Sequence, residues 1–334
     1  MKAVETLLVL GATGGIGGEI TRAALRRGWT VKALVRDPAR ADAAWPAGGP
    51  RPLWLCGDVM QREDVVKAAA GVQAIVHAVN PPGYQNWEQL ALPMLENTIA
   101  AARAAGGARI ALPGTIYNFD PATTPVLDEH SPSNPRGRKG AVRVRMEALL
   151  EQAAPAVPSL ILRAGDFFGP NTGGNWFAQA MVTPNKPVTR LIHPGKGVGH
   201  SWAYLPDLAE SFVQLLDRHH ALRPFERLQF EGLWDVDGTV LTHAIRRVVG
   251  RSVREYPFPW WLMKLARPFN GFAREAMEIQ RFWQHPVRMD NSRLLALLGH
   301  EPRTPIDVAL ASTLTAMGCL CPTTSEVIGK PESV

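Results

Sequence analysis

One stretch near the amino end limits what this chain can fold into. An apolar run, Thr6 to Leu10, passes directly into Gly11-Ala12-Thr13-Gly14-Gly15-Ile16-Gly17, then into helical periodicity up to Gly28 and a second apolar run, Val31 to Val35. A buried strand that turns at once into a helix needs a residue free of Cβ strain at the turn, which Gly11 supplies. Gly14 lets backbone come close to a bound group, and Gly17 lets the helix pack tightly on the strand. The unpaired amides and positive pole of the helix start then suit a diphosphate. Strand, glycine loop, helix and strand follow in the required order, which raises the motif above a chance glycine cluster. Gly11, Thr13, Gly14, Gly15 and Ile16 are the candidate phosphate contacts.

The same rhythm continues downstream. Pro52 to Cys56, Ala74 to Val79, Ala108 to Leu112 and Ser159 to Arg163 read as further strands. Arg62 to Ala70, Trp87 to Ala105 and Lys139 to Gln152 read as helices between them. Such alternation predicts an α/β fold, a Rossmann-type doubly wound parallel sheet covered on both faces. Past residue 165 the rhythm breaks. Residues 165–198 read as loop-rich and residues 257–283 as an aromatic, helical covering segment. Helices are expected over 205–219, 241–249, 291–298 and 305–317, with a strand over 227–231. The expected division is 1–165 for nucleotide binding, 166–321 for a smaller, mostly helical substrate region interleaved with it, and 322–334 as a flexible tail.

The formal charge of +6 over 334 residues is mild, and the densest basic run is Arg136, Arg138, Lys139, Arg143 and Arg145. It reads as a solvated helix face, so no nucleic-acid partner is expected. Three cysteines, Cys56, Cys319 and Cys321, have neither zinc nor redox spacing, which fits a reduced, cytoplasmic setting. The first strand begins too early to leave room for a signal peptide. The aromatic stretch from Phe258 to Phe269 is interrupted by Lys264 and Arg267 and is too short to span a bilayer, so no membrane partner is expected. The histidines are scattered without ligand spacing, and no metal is expected.

Arg36 closes the second strand, where the adenosine ribose would lie. An acidic residue there accepts from a 2′-hydroxyl, whereas an arginine pairs with a 2′-phosphate. Arg36 therefore points to NADP, with NAD still possible, and Asp37 is expected at the turn before the next helix. Asp58, followed by Val59, closes the third strand. It is placed either to accept from the adenine amino group or to cap a turn.

Together these features resemble the extended and atypical short-chain dehydrogenase/reductase superfamily, in its epimerase/dehydratase and NmrA-like branch. The resemblance rests on Gly11 to Gly17, Arg36-Asp37-Pro38, Gly57-Asp58-Val59, Val76-His77-Ala78, Lys139-Gly140, residues 163–170, His200 to Asp207, and residues 298–302. It implies that His77, Ala78 and Val79 line the cofactor, and that Phe167 and Phe168 lie beside the nicotinamide end. For His77 a satisfied core histidine is the other reading, and for the two phenylalanines plain packing.

The resemblance also implies a Ser or Thr after the fifth strand and a Tyr-x-x-x-Lys pair on the next helix, whose Tyr handles the substrate proton. Lys139 matches the lysine and Thr115 the Ser/Thr. The tyrosine position is Pro135, which carries no acid. Tyr117, two residues past Thr115, would share its face if the strand continued. It is then either a substitute acid or a buried packing residue. The expected function is an NADP(H)-dependent oxidoreductase acting on a small or medium carbonyl compound, as a monomer or homodimer. The alternatives are a non-catalytic NADP(H) sensor of the NmrA-like kind, which Pro135 favours, and a sugar-nucleotide epimerase or dehydratase. Only Lys186, Arg190 and Lys196 stand out as cations for the epimerase's diphosphate.

Overall fold

A computed structural model describes residues 5–81, 87–171 and 175–320; the expected tail lies outside them. The first half builds β1 (Thr6–Leu10), α1 (Gly15–Arg26), β2 (Thr30–Val35), α2 (Pro38–Ala44), β3 (Leu53–Cys56), α3 (Arg62–Ala68), β4 (Ala74–His77), α4 (Trp87–Ala104), β5 (Arg109–Thr115), β6 (Val126–Leu127), α5 (Arg138–Ala153) and β7 (Ser159–Ala164). The second half adds β8 (Asp166–Phe168), β9 (Arg190–His193), β10 (His200–Tyr204), α6 (Leu205–Leu216), β11 (Phe225–Gln229), β12 (Leu233–Asp235), α7 (Val240–Val249) and β13 (Arg254–Pro257). It closes with α8 (Trp260–Ala266), α9 (Gly271–Ile279), β14 (Arg288–Met289), α10 (Ser292–Leu298) and α11 (Ile306–Ala316).

Seven strands form one parallel sheet in the order β11-β7-β5-β4-β1-β2-β3. The order reverses at β1, where chain crossovers to either side leave a crevice at the carboxyl ends of the strands. Central strands are buried on both faces, hence their continuous apolar runs: Leu7, Leu8 and Val9 are fully buried, and so are Ile110 and Ala111. One face packs α1 and α6 through Ile20, Ala23, Phe212 and Leu216. The other packs α3, α4 and α5 through Val65, Leu95, Met146 and Leu150. The strand and helix of residues 205–229 thus join the first-half sheet.

Two expectations need correction. β5 runs on to Thr115 although Pro113 and Gly114 lie in it. β4 pairs with β5 only as far as Ala111, so Pro113 falls where one neighbouring ladder has already ended. Residues 165–198 are not only loop. β8 pairs with β10, and β9 pairs with β13. Each partner is distant in sequence, so no local pattern announces it. These small sheets pack with α7 and α11 around Phe168, Phe177, Trp202 and Leu310.

Candidate functional site

The glycine turn has the shape its residues predict. Gly11 has φ +95°, and a Cβ there would lie 2.6 Å from the Ala78 carbonyl oxygen. A Cβ on Gly17 would collide with the Gly11 carbonyl oxygen at 2.2 Å. At Gly14 the nearest atom to an added Cβ is the Gly11 oxygen at 3.3 Å. The protein itself thus demands glycine at positions 11 and 17, while position 14 is left open toward solvent. Gly14 caps α1 with no side chain, and the first turn holds no acid. Thr13 and Gly14 are exposed, and Gly15 and Ile16 are partly so. Free amides at an uncapped positive pole beside a cradle without Cβ atoms fit a dinucleotide diphosphate.

Arg36 is exposed at the end of β2. Asp37 does not compete with it, because its carboxylate accepts from the Arg40 amide at 3.0 Å as the N-cap of α2. One Asp58 oxygen accepts from the Met60 amide at 2.9 Å, a turn cap that leaves the other oxygen available. Asn97 donates to the carbonyls of Val59 and Met60 at 3.0 and 3.1 Å, fixing that loop.

A cavity of about 1400 Å³ opens across the carboxyl ends of the strands. It begins at Ile16, passes His77, Ala78, Val79 and Asn80, takes in Thr115, Tyr117, Lys139, Asp166 and Phe167, and ends beneath α9. Phe168, by contrast, is buried among Phe177 and Tyr204, because alternation along β8 turns it away from its neighbour Phe167.

His77 is buried, and its Nδ1 lies 2.8 Å from Thr98 Oγ1. The Thr98 hydroxyl donates to the Met94 carbonyl, so it accepts from His77 Nδ1–H. That leaves Nε2 unprotonated, and it has no hydrogen-bond partner among the described residues. Burial, reinforced by the charge of Arg143, pushes the His77 pKa down to about 3. The ring is therefore fixed, neutral and buried behind the cavity wall, and it does not act as an acid at neutral pH.

Thr115 and Tyr117 both line the cavity, but not by strand alternation. The strand ends at Thr115, and residues 116–118 form a 3₁₀ turn capped by the Thr115 hydroxyl, which accepts from the Tyr117 amide at 3.3 Å. The Tyr117 ring packs edge-on against Phe282 at 5.2 Å. A Cβ on Gly140 would collide with the Tyr117 carbonyl oxygen at 2.0 Å, so only glycine lets α5 come this close to the turn. A buried network behind it holds the geometry. Glu147 pairs with Arg163 at 2.5 Å and accepts from Asn118 at 2.8 Å.

Lys139 lies in the first turn of α5, and its ammonium pairs with Glu275 on α9. Its amide donates to Glu278 at 2.8 Å. Position 135 precedes the helix, so the two are not stacked on one helical face. Arg143 stands one turn further along. Its guanidinium lies 4.9 Å above the Trp87 ring and donates to Asn80 at 3.0 Å and to the Pro113 carbonyl at 3.4 Å. Residues 139, 143 and 147 recur every four positions along one helical face, a signal present in the sequence but attributed there to a solvated face.

Sequence reasoning also missed the pair Asp166 and His200. Asp166 lines the cavity, and His200 Nε2 lies 2.8 Å from its carboxylate. The imidazole is stacked on Trp283 at 3.9 Å. Nothing in the spacing of residues 166 and 200 signals this, because the pairing of β8 with β10 creates it. Among the aromatic side chains of the second half, Trp176 and Phe272 line the cavity, while Phe177, Trp202, Phe282 and Trp283 are buried. No group of His, Cys, Asp and Glu among the described residues is arranged to hold a metal ion.

A seven-stranded parallel sheet with a glycine turn at its reversal point and a cavity over its carboxyl edge defines an NAD(P)-binding Rossmann protein. A family profile described as NAD(P)H-binding matches residues 11–165. A Streptomyces protein named 3-diazoavenalumate denitrifying reductase is 33% identical over 236 residues, 63% of this chain and 75% of its own. Among solved structures, UDP-glucuronic acid 4-epimerase from Bacillus cereus, in complex with UDP-glucuronic acid and NAD, superposes with a TM-score of 0.71 at 15% identity. The match covers 93% of this chain and 98% of that one. UDP-glucose 4-epimerase from Bifidobacterium longum, bound to NAD+ and UDP, gives 0.70 at 15% identity, covering 93% and 97%. The chain belongs to the same family as that reductase, carries an NAD(P)H-binding domain over residues 11–165, and shares the fold of the solved epimerases.

Proposed function

We propose that this protein is an NADP(H)-dependent reductase acting on a small or medium carbonyl compound. The observation that carries the reading is the single cavity running from the start of α1 to α9, with Thr115 and Tyr117 in its wall. The amides of Gly15 and Ile16 at the start of α1, over the cradle of Gly11, Thr13 and Gly14, hold the diphosphate, Arg36 the 2′-phosphate, and Asp58 and Val59 the adenine side. Ala78 and Val79 line the passage toward Phe167. Arg143, rather than the α9-bound Lys139, takes the nicotinamide ribose. Bound there, the dinucleotide supplies hydride equivalents. The Thr115 hydroxyl accepts from the Tyr117 amide, which leaves its own proton to donate to a carbonyl oxygen. Tyr117 is the proton source for that oxygen.

The similarity to a reductase supports this reading over an epimerase. Lys186, Arg190 and Lys196 do not line the cavity, although Arg136, Arg138, Arg267 and Arg274 do, so the cations do not separate the two readings. A second reading is favoured by Pro135. An aryl diazonium cation that accepts hydride at its ring carbon, with loss of dinitrogen, becomes the neutral arene and needs no acid, so reduction of an aryl diazonium suits a site without the usual tyrosine. NADPH oxidation at 340 nm separates these readings across a panel of aldehydes, ketones, enones and aryl diazonium salts. Carbonyl turnover that falls about 100-fold or more in Tyr117→Phe, with NADPH affinity kept, supports the first. Turnover of aryl diazonium salts alone, indifferent to that substitution, supports the second. NADPH binding without turnover on any of them returns the sensor.

A further inference from the structure

The outer face of α8 is unusual for a protein surface. Trp261 is 69% exposed, Leu265 66% and Phe269 91%, and Leu262 and Phe272 are more than two-fifths exposed. Trp261 and Leu265 lie one helical turn apart on α8, and Phe269 follows in the turn that leaves the helix. The opposite side of the segment is anchored: Trp260 donates to the Pro194 carbonyl at 2.8 Å and packs on Phe258 and Trp176. This face therefore presents roughly 500 Å² of apolar surface on a fixed support.

We propose that this face seats on an anionic lipid surface, with the cavity mouth against the bilayer. Charge selects this partner. Residues 256–274 contain Lys264, Arg267 and Arg274 and no Asp or Glu, and the acids on either side, Glu255 and Glu275, are neutralised by Arg246 and Lys139. All three cations of the segment are exposed. The pattern of Trp, Phe, Leu and Tyr256 beside cations that stay in the headgroup layer is that of an interfacial segment. The same charges that stop this stretch from spanning a membrane suit it to lying on one. Arg267, Gly271, Phe272 and Arg274 also line the cavity, so the apolar face is continuous with its mouth. This inference stands apart from the reductase reading, since it needs no turnover.

The test is sedimentation of the full chain with phosphatidylcholine vesicles containing phosphatidylglycerol, against phosphatidylcholine alone. Lipid-free sedimentation velocity gives the oligomeric state, and NADPH binding serves as the control for folding. The expected result is preferential pelleting with the anionic vesicles, reversed by salt. The double substitution Leu265→Ser/Phe269→Ser, outside the cavity lining, should weaken it at least about tenfold without changing NADPH affinity. Lys264→Glu should weaken it less. No pelleting, equal pelleting with both vesicle types, or pelleting unaffected by the double substitution overturns the proposal. So does a lipid-free dimer that the double substitution dissociates, which would make this face a contact between two copies.

Discussion

His77 shows how position decides what a residue can do. An imidazole ordinarily titrates near neutrality, yet burial and then the charge of Arg143 bring its pKa to about 3. The unfolded chain thus binds more protons than the folded one between pH 6.5 and pH 3. Stability from this group is full above pH 6.5 and is lost as pH falls toward 3. Between pH 7 and pH 5 the expected loss is about 2 kcal/mol. Urea denaturation at the two values checks it, and a His77→Gln variant should remove that part of the pH dependence. A pH dependence unchanged by the substitution would mean that the ring is protonated in the folded protein.

At the scale of elements, the contact among α5, β7 and the 3₁₀ turn sets the cavity wall. Arg163 and Glu147 are both buried, and Arg163 also lies 5.1 Å over the Phe119 ring. Removing one member leaves a buried charge uncompensated, at a cost of about 3–5 kcal/mol. Glu147→Leu should therefore lower the urea midpoint strongly, and adding Arg163→Met should recover much of the loss. Failure of that recovery would show that Asn118, which also bonds Glu147, is the larger contributor. This network was not legible in the sequence. Glu147 and Arg163 lie on different elements, and charge patterning along one helix says nothing about a partner on a strand. The glycine at 140 belongs to the same arrangement, since it admits the helix to the turn that carries Tyr117.

Over the whole molecule, α9 and the 3₁₀ turn of residues 280–283 close the cavity by ion pairs across it. Lys139 pairs with Glu275, and the fully buried Asp120 receives both Arg136 and Arg281 at 2.6 and 2.9 Å. Burial alone would raise the Asp120 pKa, but the bonds from the two arginines outweigh it and hold the carboxyl below its usual value. Stability from it is present above the ordinary carboxylate range and is lost as pH falls. Both arginine side chains are partly exposed, so screening limits the effect of Asp120→Asn to about 1 kcal/mol. The expected outcome is a Tm lowered by only a few degrees, with trypsin cleaving the α8–α9 region markedly faster. Unchanged cleavage would show that the apolar contacts of Ile279 and Phe282 suffice to hold the cover.

Residue order alone determined the nucleotide half of this protein. Its signals are local: an apolar run, glycines at set offsets, an arginine at a strand end. Each acts within a turn or two of chain, so periodicity and residue chemistry reveal it. Tertiary structure decided the far end of the cavity. The α9 salt bridge at Lys139, the facing of Arg143, the union of Asp166 with His200 and the turn beneath Tyr117 all arise between elements far apart in sequence. Packing and strand pairing bring them together, and no local pattern records such contacts.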